Sequence, residues 1–211
     1  MSARAISRTG LTLAVIAAVC TALVAGTYRL TSERITENTR LLLERSLAPA
    51  LGATVYDGAL IDSVLVLQPP HGLPGSGPAT VYRVFADGRP AAALFVATAM
   101  DGYSGPIRIV VGVDPAGIVT GLRILEHRET PGLGDRIESA RSDWVYQFDG
   151  RSLGNPEPGR WAIRGDGGDF DQLTGASITP RAVTRAVRDV LIYFAANRDE
   201  VFARPATEQS Q

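Results

Sequence analysis

The stretch that decides the fold is residues 107–124, which read IRIVVGVDPAGIVTGLRI. Every second side chain of a β-strand points to the same face, so alternation of apolar residues indicates a strand with one buried face. Asp114-Pro115-Ala116-Gly117 in the centre is typical of a tight turn. We therefore predict a β-hairpin, whose two alternating sets are Ile107, Ile109, Val111 and Val113, then Ile118, Thr120, Leu122 and Ile124.

A second hairpin is predicted before residues 107–124, and a helix is predicted after them. Residues 81–85 and 92–98 flank Asp87-Gly88, a hairpin turn signal. Near the C-terminus, apolar residues recur with helical spacing, which predicts a helix over 180–197 with Thr179 as N-cap and Pro180 as its first residue. Hairpins with helices at either end predict an α+β fold: an antiparallel sheet with flanking helices, preceded by one N-terminal transmembrane helix.

The N-terminal region contains a long uncharged apolar run. Residues 10–28 read GLTLAVIAAVCTALVAGTY, enough for a helix to cross the roughly 30 Å hydrocarbon core of a bilayer. A cleaved signal peptide is the alternative, but Leu23 fits a cleavage site poorly. Arginines lie on both sides of the run, so their distribution does not set its orientation.

The position of the apolar run divides the chain into predicted segments. We predict a short cytoplasmic segment at 1–9, the transmembrane helix at 10–28 and a stalk helix within 29–52, capped by Thr31 or Ser32. A soluble domain at 53–203 and a disordered tail at 204–211 complete the predicted organisation.

Composition excludes several functional classes. The net charge of −1 provides no basic field for nucleic acid. All 21 basic residues are Arg, and without Lys neither Schiff-base chemistry nor a Walker-type P-loop is available. Cys20 is the only cysteine, and His71 and His127 lie far apart, so we expect no metal site.

The segment with the clearest chemical potential precedes the C-terminal helix. Residues 171–180 read DQLTGASITP, in which Thr174 and Ser177 flank a Gly-Ala turn. The start of a helix presents unpaired N–H groups and the positive end of its dipole, which favour a phosphate. Small neighbours leave space beside Ser177. A phosphate on or beside Ser177 would be well placed; an ordinary turn before a capped helix is the alternative.

These residues resemble a known signature. Asp171-x-x-Thr174-Gly-Ala-Ser177 is similar to the flavinylation motif of the FMN-binding domain family, and GYSGPI at 102–107 and ETPGLG at 129–134 resemble family motifs in the same order. The resemblance covers about residues 102–194. It implies FMN bound through a phosphoester to Ser177 and donated from FAD by a flavin transferase. The usual acceptor is Thr; Ser has the same nucleophilic oxygen.

The resemblance also implies the other cofactor-binding residues. Glu129 and Asp171 are expected to contact the flavin or to orient its loops, and Asp171 alternatively assists the transferase. No catalytic residue is expected. The expected contacts besides Ser177 are Thr174, Gly175, Ala176, Thr130, Leu133, Glu129 and Asp171.

Within that family, a short chain with one span is similar to the G subunit of the Rnf/Rsx electron transport complex. The C subunit of the sodium-translocating NADH:quinone oxidoreductase is the alternative, although it is usually longer, and a cofactor-free anchored scaffold is a second. The resemblance implies a redox carrier, in a bacterial inner membrane with its domain on the periplasmic side. Its partners would be the other subunits of a complex that couples NADH/ferredoxin electron transfer to ion movement.

Overall fold

The computed structural model describes residues 3–203, apart from the side chains of residues 3–10, 12, 32, 33 and 36. The chain divides into two compact units, Met1–Leu43 and Glu44–Gln211. Short 3-10 turns follow α1 and connect β5 to α2. The helices and strands are α1 (Ala3–Leu47), β1 (Val64–Leu67), β2 (Ala79–Ala86), β3 (Arg89–Ala99), β4 (Ile107–Val113), β5 (Val119–Glu126) and α2 (Ile178–Ala203).

Helix α1 runs without a break from the N-terminal segment to Leu47. Its segment Leu13–Thr31, with a mean hydropathy of 1.8 and no buried residue, is long and apolar enough to cross a membrane. The predicted cap at Thr31 or Ser32 is wrong, because both residues lie inside the helix and the Thr31 hydroxyl donates to the Thr27 carbonyl at 2.7 Å. No proline separates the apolar and polar segments, so one helix continues through both. The domain boundaries at 9, 28, 52 and 203 stay predictions.

The sheet confirms both predicted hairpins and the α+β class. Its five strands lie in the order β1-β2-β3-β4-β5, and each is antiparallel to its neighbour. At the β2–β3 turn, Asp87 and Gly88 both have positive φ, 49° and 70°. Two positive φ values suit the right-handed twist of a hairpin.

The alternation predicted for β5 is wrong at its start. Val113 pairs with Val119 and Gly112 with Gly121, so Thr120 is an extra residue in the strand. Relative to simple alternation with Leu122, such a bulge places the residues before Thr120 on the opposite faces. Val119 is therefore buried and Ile118 is 39% exposed. The Thr120 hydroxyl donates to the Ala50 carbonyl at 2.7 Å, which gives the bulge a specific partner.

The sheet is the middle layer of the second unit. On one face the sheet packs against α2. The rings of Phe95 and Phe194 meet edge-to-face there, with 5.9 Å between their centroids. The 3-10 turn Ala48–Leu51 packs on the opposite face, and Leu47 and Leu51 are buried there. The last residue of α1 and the turn after it thus belong to the core of the second unit.

Helix α2 starts two residues before the predicted Pro180 and ends at Ala203 rather than 197. Thr179 is not its N-cap: it lies in the first turn, is buried, and donates a hydrogen bond to Glu129. Pro180 is tolerated in this turn because the first N–H groups of a helix have no partner within it. Ser177 is therefore the residue that directly precedes the helix.

Candidate functional site

A tight turn presents Ser177 at the start of α2. The Ala176 N–H donates to the Leu173 carbonyl at 3.0 Å, which closes the turn. Gly175 has φ of 82°, in the left-handed region that favours glycine. Ser177 follows with an exposed side chain. The two small residues of the turn therefore leave the Ser177 hydroxyl accessible from solvent.

A cavity of about 310 Å³ opens beside Ser177. Three segments that are separate in sequence form its wall, and each contains one of the motifs identified above. Six of the predicted site residues line it together: Ser177, Gly175, Ala176, Thr130, Leu133 and Glu129. The remaining lining residues are Tyr103, Gly134, Ile178 and Thr179. Its volume is at the small end of the range for ligand pockets.

Glu129 is the buried charged group of this wall, 4% exposed. Its Oε1 accepts from the Ser104 N–H at 3.0 Å, and its Oε2 accepts from the Thr179 hydroxyl at 2.5 Å. Burial of a carboxylate is costly unless hydrogen bonds compensate, and here both oxygens have a donor. The carboxylate thus connects all three segments of the wall.

The loop after Glu129 turns around the Thr130 carbonyl oxygen. The Thr130 carbonyl accepts from the N–H groups of Leu133 at 3.2 Å and Gly134 at 3.0 Å. Gly132, with φ of 77°, allows the chain to reverse there. Leu133 is consequently presented to the cavity with 43% of its surface exposed.

Two predicted site residues lie outside the cavity wall. Thr174 is exposed at the tip of the turn. Asp171 is also exposed and pairs with Arg164 at 2.9 Å. Its carbonyl accepts from the Trp144 indole at 2.6 Å, and its N–H donates to the Gln147 side chain. These contacts anchor the start of the 171–177 segment. A role for either residue at the flavin stays a prediction.

Sequence reasoning did not single out Tyr103 and Ile178 as site residues. Both line the cavity, with Tyr103 67% exposed and Ile178 43% exposed. Tyr103 lies in the GYSGPI segment, so its place in a motif was the available signal. No sequence signal marked Ile178 as a site residue, because an apolar residue at the start of a helix usually packs into the core.

An exposed ion pair fixes α2 to the loop before the Ser177 turn. Arg181 donates to both carboxylate oxygens of Asp166, with Nε–Oδ2 at 2.5 Å and Nη2–Oδ1 at 2.8 Å. These hydrogen bonds lower the pKa of Asp166 and raise the pKa of Arg181. Arg185 forms a neighbouring pair with Asp101. Bidentate pairs of this kind restrict orientation more than isolated surface contacts do.

The site combines a nucleophilic hydroxyl, a helix N-terminus and exposed apolar side chains. It can hold an anionic group beside Ser177 and a flat apolar group against the exposed side chains of Tyr103 and Leu133. Within the described part of the chain, no group of three or more His, Cys, Asp or Glu side chains could hold a metal ion.

Comparison with known proteins defines the class of this domain. Residues 102–192 match the FMN-binding domain family, and residues 1–49 match the RnfG N-terminal region. The fold is also similar to the crystal structure of Shewanella oneidensis NqrC. That match has a TM-score of 0.57 and 21% identity, and covers 80% of this chain and 100% of the other.

Relatives that align over nearly the whole chain define the family. The G subunit of the ion-translocating oxidoreductase complex of Pseudomonas aeruginosa strain UCBPP-PA14 is 44% identical, covering 95% of this chain and 94% of the relative. The protein of the same name from Escherichia coli K12 is 43% identical, covering 90% and 91%. The protein of the same name from Shewanella loihica is 41% identical, and the alignment covers 99% of this chain and 98% of the relative. The chain belongs to the family of G subunits of ion-translocating oxidoreductase complexes.

Proposed function

We propose that the chain is a membrane-anchored electron-transfer protein of an ion-translocating complex, with FMN bound covalently through its phosphate to Ser177. The observation that carries this proposal is that Ser177 opens onto a cavity built from all three motif segments of a matched FMN-binding domain. It is a redox carrier, and no stand-alone catalytic activity is expected of it.

The residues around Ser177 suit the phosphate end of FMN. Ile178 and Thr179 are the first two residues of α2, and their N–H groups have no acceptor within the helix. Pro180, next in the turn, has no N–H. The positive end of the helix dipole stabilises a negative charge at this point. A phosphoester on the Ser177 hydroxyl would lie within this field.

The exposed apolar side chains of the cavity lining suit the ring end of FMN. Tyr103, Leu133 and Ile178 offer exposed apolar surface, which a flavin ring system would cover. Thr130 also lines the cavity and carries a hydroxyl. Bound FMN supplies the exchange of electrons, while the protein supplies position and electrostatic environment.

Maturation requires a second protein. A flavin transferase joins the Ser177 oxygen to the FMN phosphorus of FAD and breaks the bond between the two phosphates, so AMP leaves. Thr174 and Asp171, at the exposed start of the turn, remain available to that enzyme or to the flavin. The same loop thus serves attachment first and cofactor binding afterwards.

We place the domain on the periplasmic side of the inner membrane, anchored by the 10–28 helix, beside the other subunits of an NADH/ferredoxin electron transport complex. The apolar segment Leu13–Thr31 supports the anchor. Protease added to spheroplasts tests the orientation: residues 53–203 are digested without lysis if the domain is periplasmic, and are protected if it is cytoplasmic.

The C subunit of a sodium-translocating NADH:quinone oxidoreductase is the second candidate. The similarity to NqrC supports it only at the level of the fold, because the identity is 21%. The relatives named as G subunits, at 41–44% identity over nearly the full length of both chains, favour the first. A cofactor-free scaffold is less well supported, since it leaves the accessible cavity beside Ser177 unexplained.

Retained colour tests the covalent flavin. The full chain is co-produced with a flavin transferase, denatured and dialysed, and its visible absorbance is measured. Wild type and Ser177→Thr are expected to stay yellow, and Ser177→Ala to be colourless. A yellow Ser177→Ala protein contradicts the assigned residue. Colour lost from wild type on dialysis contradicts the covalent bond.

A further inference from the structure

One buried hydrogen bond joins the first turn of α2 to the 129–134 loop, and both segments line the cavity. Thr179 and Glu129 are 1% and 4% exposed, and the Thr179 hydroxyl donates to Glu129 Oε2 at 2.5 Å. Thr179 lies two residues after Ser177. The contact therefore ties the helical turn that follows Ser177 to the Glu129 carboxylate.

The carboxylate has little freedom to move. A Cβ on Gly134 would lie 2.9 Å from both Cβ and Oε2 of Glu129, and a Cβ on Gly102 would lie 2.9 Å from its Oε1. Distances this short are not tolerated between such atoms. Two glycines thus enclose Glu129 so closely that a methyl group on either would displace it.

The backbone of Glu129 is fixed as well. Its N–H donates to Nδ1 of His127 at 3.0 Å, and Nε2 of His127 lies 2.7 Å from Oε1 of Glu138. A neutral imidazole satisfies both contacts, accepting at Nδ1 and donating from Nε2. The side chain and the main chain of Glu129 are therefore both held by named partners.

We propose that Thr179 and Glu129 form a positioning pair that sets the Ser177 hydroxyl and the α2 N-terminus at a fixed place relative to Leu133. This inference rests on the proposed function, because the quantity positioned is the flavin attachment point. The pair acts through hydrogen bonds between the three wall segments: Ser104 on one carboxylate oxygen and Thr179 on the other.

Threonine variants of α2 provide a matched test. Thr179→Val keeps the shape and removes the hydroxyl, and Thr179→Ser restores it. Thr184 is the control, because it lies in the same helix, is also 1% exposed, and its hydroxyl has no hydrogen-bond partner among the residues that the structure describes. Thr184→Val thus removes a buried hydroxyl without breaking a contact.

The full chain of each variant is co-produced with a flavin transferase. Flavin attachment is followed by mass, and the environment of the attached ring by visible circular dichroism. Loss of a hydrogen bond to a charged group is expected to slow attachment roughly tenfold in Thr179→Val and to reduce its visible dichroism. Thr179→Ser is expected to recover most of the rate, and Thr184→Val to match wild type.

A readout without flavin separates this inference from the proposed function. In chains made without transferase, the Ser104 amide is expected to exchange with deuterium faster in Thr179→Val than in Thr184→Val. This result stands even if wild type carries no FMN at Ser177. Should Thr179→Val not fold, Glu129→Gln replaces it, since Gln keeps the volume and one acceptor oxygen; slower attachment and faster Ser104 exchange are expected again.

Two results overturn the positioning pair. One is a folded Thr179→Val protein, or its replacement, with the attachment rate, visible dichroism and Ser104 exchange of wild type. The other is an equal loss in Thr184→Val, which would show a general response to threonine removal in α2.

Discussion

Gly112 and Gly121 face each other directly across β4 and β5, and the backbone of Ala50 lies against both. A Cβ on Gly121 would lie 3.0 Å from the Ala50 carbonyl oxygen, and one on Gly112 would lie well inside contact distance. The absence of side chains on this face lets the 3-10 turn after α1 pack directly on the sheet. This contact makes the C-terminal end of α1 and the turn after it part of the second unit.

Gly112→Ala is expected to lower the free energy of unfolding by about 1–3 kcal/mol, because the added methyl group overlaps the Ala50 carbonyl. Thermal unfolding of the detergent-solubilised chain measures it. Gly154→Ala is the control, since no atom in the described part of the chain lies within 4 Å of its Cβ position. Equal midpoints for the two variants would contradict close packing between this turn and the sheet.

Truncation tests whether residues 44–52 belong to the domain. A chain starting at Glu44 is expected to unfold cooperatively. One starting at Ala53 lacks buried Leu47 and Leu51 and is expected to lose about 3–6 kcal/mol. Circular dichroism during thermal unfolding compares the two. Similar midpoints would show that the segment is a dispensable linker.

Leu133→Ala is expected to slow flavin attachment several-fold and weaken the visible dichroism of the attached flavin, because it removes an apolar wall of the cavity. Leu133 is 43% exposed, so the flavin-free chain is expected to change in stability by only about 0.5 kcal/mol. Ile192→Ala, 50% exposed on α2 and outside the cavity lining, is the control. The same dichroism in both variants would place the flavin elsewhere.

The Asp166–Arg181 pair predicts a pH-dependent contribution. The Arg181 hydrogen bonds hold the pKa of Asp166 below its ordinary 3.8 in the folded chain. The resulting stabilisation is present above about pH 4 and is lost as pH falls through the folded-state pKa. Asp166→Asn is expected to unfold at a slightly lower temperature than wild type at pH 7. This difference in unfolding temperature is expected to vanish as the pH falls below the folded-state pKa of Asp166. A difference that stays constant with pH would contradict a contribution from Asp166 ionisation.

The elements with strong local signals were predictable. Both hairpins and the body of α2 follow from side-chain periodicity, and the Ser177 turn follows from its Gly-Ala pair. The bulge at Thr120 was not predictable, because its partner, the Ala50 carbonyl, lies 70 residues away. The predicted helix cap at Thr31 or Ser32 also failed, since the Thr31 hydroxyl bonds within a continuing helix.

In the candidate site, too, the local motifs were predictable from sequence and the long-range contacts were not. The motifs identified the three wall segments, but the Glu129–Thr179 contact joins residues 50 apart. Thr179 therefore resembled an N-cap in sequence although its hydroxyl is used in tertiary packing. Tyr103 and Ile178 become site residues only through the folding of the 102–107 segment against the start of α2.

Covalent attachment at Ser177 is tested by the intact mass of the full chain co-produced with a flavin transferase, followed by mapping of the peptide that contains Ser177. We expect an added mass equal to FMN minus water on that peptide, absent in Ser177→Ala and kept in Ser177→Thr. An unmodified Ser177, in a preparation where the transferase modifies a threonine-containing control, would contradict covalent attachment at this residue.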